Sequence, residues 1–115
     1  MAYNVSALES GKADIKIVRG DTFVYPFNIY TESKLKYVPN AGDTITLQVF
    51  NKFTDTKPIY EKNIPYKSLF INLSADETKS MKYGNYVYVI RIRFSNGFVD
   101  SVISGKFSVT VPGGD

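Results

Sequence analysis

The sequence predicts an all-β chain: an antiparallel, immunoglobulin-like β-sandwich with one short helical turn before the C-terminal hairpin. Three observations carry that prediction. Tyr86, Tyr88, Ile90, Ile92 and Phe94 alternate with Val87, Val89, Arg91 and Arg93, the period of a long strand whose successive side chains face opposite ways. Asn96-Gly97 follows and supplies the positive φ angles of a tight hairpin turn. Aromatic residues make up 15% of the chain, with nine Tyr and eight Phe, an enrichment that favours strands. After the turn the chain returns as residues 98–103. Beyond Ser104-Gly105 it alternates again over residues 106–111, so three antiparallel strands are expected to close the chain.

The preceding elements are shorter. Residues 1–13 are polar and small and are expected to form an N-terminal arm. Residues 14–111 make the sandwich and 112–115 a short tail. Asp14 to Val18 alternates as a first strand, and Arg19-Gly20-Asp21 is a turn. Thr22 to Tyr30 reads as a second strand, at an edge or bulged at Pro26, which has no amide hydrogen to donate. A loop follows to Gly42, with an extended piece at residues 35–38. Asp43 to Asn51 is a third strand, with Ile45, Leu47 and Val49 on one face. Residues 58–62 and 68–73 are short strands. Ser74 and Glu77 have the spacing of a capping box, which starts a helical turn through Met81, and Gly84 ends it. A small, partly open barrel is the competing architecture.

Composition narrows the function. The 115 residues suit one domain. With no Cys there is no disulfide or thiolate chemistry. With no His, the usual general base and metal ligand are missing. The expectation is a non-enzymatic protein with no catalytic residues, no metal and no cofactor. Net charge is +3 and the lysines are scattered, which argues against a nucleic-acid partner. No apolar run is long enough for a membrane span, and the N-terminal residues lack a signal-peptide pattern, so synthesis and retention in a cytoplasm are expected. The sequons at Asn4 and Asn72 are then accidental.

The order of motifs is similar to a known family. Gly20-Asp21-Thr22 is followed by an aromatic-rich strand and then by Ala41-Gly42-Asp43-Thr44. Leu73-Ser74 precedes the helical turn, Tyr83-Gly84-Asn85-Tyr86-Val87-Tyr88 follows it, and Gly105-Lys106-Phe107-Ser108-Val109 comes last. This series resembles the β-sandwich domains of tailed bacteriophages that are similar to the N-terminal domain of baseplate upper proteins. It covers roughly residues 14–111. The resemblance implies a virion structural protein made in the bacterial host cytoplasm. A capsid decoration or auxiliary protein is expected first and a tail or baseplate component second. Its partners would be the major capsid protein or tail and baseplate proteins, with homo-oligomer contacts in the assembly.

Candidate partner-binding residues are Tyr3, Val5 and Leu8 on the arm, Tyr25, Tyr30 and Tyr37 near an edge strand, and Arg91 and Arg93 on the long strand. The three tyrosines also admit a second reading, a carbohydrate-binding adhesion module, which requires exposed coplanar rings. The arginines suit an acidic partner surface or, more plainly, a solvated sheet face with Asp100 near Arg93. Arg19-Gly20-Asp21 invites an adhesion reading, but turn chemistry alone explains the triplet.

Overall fold

In a computed structural model, which describes residues 3–5, 14–31 and 35–112, the chain is an all-β sandwich with one short helix. The strands are β1 (Tyr3–Val5), β2 (Ile15–Val18), β3 (Phe23–Pro26), β4 (Ile29–Thr31), β5 (Lys36–Tyr37), β6 (Thr44–Phe50), β7 (Tyr60–Ile64) and β8 (Phe70–Leu73). Helix α1 (Ala75–Lys79) follows, then β9 (Gly84–Arg93) and β10 (Val99–Thr110). The main sheet runs β2-β10-β9-β6-β7. Smaller sheets, β1-β4-β5 and β3-β8, complete the sandwich.

Alternation places the core as expected. Ile45, Leu47 and Val49 of β6, Tyr88, Ile90 and Ile92 of β9, and Phe107 and Val109 of β10 are buried together with Ile15 and Ile17. Ile29, Ile71 and Leu73 come from the smaller sheets and Phe27 from the link between β3 and β4. Full burial of each such side chain contributes about 1.5–3 kcal/mol, so this apolar cluster is the main source of stability.

Four expectations are corrected. The chain does not close with three strands. β10 runs unbroken through Ser104-Gly105, and a register shift between Ser101 and Ile103 lets Val102 and Ile103 both face the core. The second expected strand is two, because Pro26 ends β3. Residue 27 donates to Leu69 O at 3.0 Å, and β4 joins a different sheet. The pairing is not wholly antiparallel, since β2 lies parallel to β10, with Ile15 opposite Phe107 and Val18 opposite Thr110. Gly84 does not end the helix. Ser80 caps it, with its amide donating to Asp76 O, and Gly84 opens β9.

Within the expected arm, Tyr3–Val5 pairs antiparallel with Ile29–Thr31. The hairpin turn is a three-residue loop. Phe94 N donates to Phe98 O and Gly97 N to Phe94 O, each at 2.8 Å, with Gly97 at φ +94°.

The sandwich has two distinct ends. At the hairpin end Asp43, only 7% exposed, accepts from the Tyr37 hydroxyl at 2.5 Å, from Asn40 N at 2.9 Å and from Ser95 N at 3.2 Å. Gly42 lies so close to this turn that an added Cβ would stand 2.7 Å from Ser95 Cβ. The other end carries α1.

Candidate functional site

Three local features assemble the helix end. Ser74 has extended φ and ψ, so its hydroxyl can reach forward to the Glu77 amide at 3.1 Å, while the Glu77 carboxylate returns to Ser74 N at 3.0 Å. This is the expected capping box. Register supplies the second feature. Tyr60 lies opposite Val49 and Lys62 opposite Leu47, so both β7 side chains point inward over the edge of the sandwich. There the Tyr60 hydroxyl donates to Glu77 Oε2, and Lys62 Nζ donates to Glu77 Oε1 at 2.7 Å and to Asn72 O at 2.6 Å. The capping glutamate thus also ties the helix to the edge strand.

The third feature is Thr78, which is fully buried. Its hydroxyl accepts from Gly20 N at 3.0 Å and donates to Asp21 O at 2.8 Å. Arg19 Nε donates to Met81 O at 3.0 Å, and its guanidinium lies 5.2 Å from the Tyr83 ring centroid. The Arg19-Gly20-Asp21 triplet is therefore a turn fastened to α1, with Gly20 at φ +91°.

These elements enclose a cleft of about 430 Å³. Core side chains Val49, Phe107 and Val109 form its floor. Ile59, 51% exposed, stands at the lip, and Met81 and Tyr86 line the wall. Asn51, Tyr60, Ser80 and Lys82 bring polar groups to the rim. Part of that polarity is already committed: Ser80 Oγ donates to Glu77 O at 2.7 Å, and in the wall Tyr86 Oη donates to Lys82 O at 2.8 Å.

The ionisable groups follow from the same contacts. Partial burial alone would raise the Glu77 carboxyl. Hydrogen bonds from Lys62, Ser74 N and Tyr60, together with the Lys62 charge, outweigh that and lower it to about 2. The Tyr60 phenol is pushed well above its ordinary value by burial first, then by bonding to Glu77 and by that carboxylate's charge. Tyr60 is thus a committed donor and Glu77 a committed anion. Lys62–Glu77 is the single ion pair among the described residues, and no group of three or more His, Cys, Asp or Glu there could hold a metal.

The residues predicted from sequence do not meet at this cleft. Tyr25 is half-buried, packs against the core and stacks on Phe23 with centroids 6.1 Å apart. Tyr37 is half-buried, holds Asp43 and meets Phe94 edge-on at 5.6 Å. Tyr25 and Tyr37 also belong to different sheets, so they form no exposed coplanar platform, and the glycan-adhesion reading is corrected on that ground. Tyr3, Val5 and Tyr30 lie in β1 and β4, but their side chains, like the whole of Leu8, fall outside the described residues. Arg91 and Arg93 are exposed on the outer face of the main sheet, beside Thr46 and Thr44. Asp100 is not Arg93's neighbour. It pairs with Ile92 while Arg93 pairs with Val99, so the two side chains project to opposite faces.

Sequence reading missed Ile59, Met81 and Phe107 as cleft residues. Only Ile59 left a trace, as an apolar residue between Pro58 and the inward-facing Tyr60.

No family model and no curated protein matches the chain. Among solved structures, it is similar to CopC from Methylosinus trichosporium OB3b, at 17% identity over 85% of this chain and 84% of that one, with a TM-score of 0.40. A likeness at that level carries no argument about ligand or role. The expected virion role is corrected here. The structure aligned above is a CopC, and nothing in these comparisons points to a virion, whether as capsid decoration, tail or baseplate. That role is withdrawn.

Proposed function

We propose that the chain is a non-catalytic binding module that takes an apolar side chain of a partner polypeptide into the cleft beside α1. The observation that supports this most directly is an apolar lining, Ile59 and Met81 over the core side chains Val49, Phe107 and Val109, beside which the Tyr60, Ser80 and Tyr86 hydroxyls are already hydrogen-bonded. Catalysis needs an uncommitted acid, base or nucleophile at the reacting centre. Here the Glu77 carboxylate beside the cleft is saturated, and the Tyr60 phenol is bound to it. Burial of one apolar side chain contributes about 1.5–3 kcal/mol, so useful affinity requires further contacts around the rim.

The test is a heteronuclear NMR titration with N-acetyl-leucinamide and N-acetyl-tyrosinamide as side-chain probes. Saturable shifts confined to Asn51, Ile59, Met81 and Tyr86 are expected. Ile59→Asp, at an exposed lip position, should abolish them without unfolding the domain. Tyr60→Phe should leave them in place. Scattered or absent shifts would sink the proposal.

A further inference from the structure

The hairpin end carries a second cleft, of about 350 Å³, where the chain crosses between sheets at Pro26. Buried Phe27 and Pro39 contribute to its lining, together with Tyr37 and Tyr66. Lys36 and Lys67 are both exposed at this cleft, and among the described residues no carboxylate belongs to its wall. Among the described residues neither lysine takes part in an ion pair, the one such pair being Lys62–Glu77. Lys67 Nζ lies 5.8 Å from the Tyr66 ring centroid, so positive charge stands directly over an apolar surface.

We infer that this cleft binds a small organic anion with a flat apolar body. Tyr and Pro rings offer it surface, and the two ammonium groups complement its charge. The volume suits a ligand of one or two rings. A neighbouring cleft shares Tyr37 but is lined by Asp43 and Asp100, so an anion is directed to the lysine side of that ring. Asp43 is 7% exposed and lines that neighbouring cleft, not this one. The cleft beside α1 has one lysine in its lining, Lys82, and so offers an anion less. This site is separate from the α1 cleft and stands or falls independently of it.

Two probes test the inference: 2-naphthalenesulfonate and its neutral counterpart, 2-naphthalenesulfonamide, each titrated by heteronuclear NMR. The sulfonate is expected to produce saturable shifts at Asn28, Lys36, Tyr66 and Lys67. The sulfonamide should bind roughly tenfold more weakly, as should the sulfonate to the Lys36→Ala/Lys67→Ala variant, the scale of two exposed charge contacts. Added salt should weaken the sulfonate alone. Both lysines are exposed, so the variant should keep a dispersed spectrum. Equal affinity for the two probes, shifts centred on Ile59 and Met81, or no shifts would each overturn the inference.

Discussion

The two ends of this sandwich are each organised by one carboxylate, and the two carboxylates are held by different chemistry. At the hairpin end, Asp43 is nearly buried and accepts from three neutral donors, a phenol and two backbone amides. At the helix end, Glu77 is partly exposed and accepts from an ammonium, a phenol and one amide. Asp43 pins loops on either side of a turn, where a lost acceptor leaves two part-buried amides unpaired. Glu77 ties two secondary-structure elements across an edge that water reaches, where screening weakens its charge. The first arrangement should matter more for stability, and the second carries a pH response of its own.

The sharpest way to break that comparison is Asp43→Ala. It strips the acceptor from Asn40 N, Ser95 N and the Tyr37 hydroxyl, and is expected to cost about 3 kcal/mol in urea denaturation. A loss below about 1 kcal/mol would mean that water replaces the carboxylate freely. Next is Thr78→Val, which orphans Gly20 N and Asp21 O at the helix end. A cost of about 2 kcal/mol is expected, with faster hydrogen exchange at the Gly20 amide. Unchanged exchange there would mean that the turn stands without the helix.

Gly42→Ala should cost about 1–2 kcal/mol, because the new methyl meets Ser95 Cβ in a tight turn. Ser95→Gly in the same chain should recover most of that loss, and a double-mutant cycle showing no coupling would refute the steric account.

The smallest effect belongs to Glu77→Gln, which keeps the capping geometry but removes the charge. We expect about 0.5–1 kcal/mol at neutral pH. The sign with pH follows from the lowered carboxyl. Its folded value of about 2 lies below the ordinary 4.5, so its stabilisation is complete above 4.5 and disappears as pH falls towards 2. Melting temperature measured across that window should fall more steeply for the parent than for the variant. Parallel curves would show that the tie to Lys62 and Tyr60 contributes little.

Much of the scaffold was legible along the chain. Alternation located β6 and β9 and their buried faces, and the Ser74–Glu77 spacing announced the cap of α1. The Asn96-Gly97 pair marked the hairpin, and Pro26 marked a break whose consequence, a change of sheet, depends on where β8 lies. The cleft was not legible. Its floor comes from β6 and β10 and its wall from the residues after α1, segments that meet only when the sandwich closes. The resemblance drawn from motif order misled about role, because turns and alternating strands report backbone geometry and carry no chemistry specific to a partner.

Side-chain period, turn residues and capping spacing act between neighbours a few positions apart, and for these the amino-acid order sufficed. The parallel union of β2 with β10, the two inward-facing residues at the bulge near Ile103, and the second use of Glu77 by Tyr60 and Lys62 required folding. The first and last join groups far apart in the chain, and the bulge is set by pairing with β9. Their energies are realised only after the core of Leu47, Ile90 and Phe107 has collapsed and set the register that brings them together.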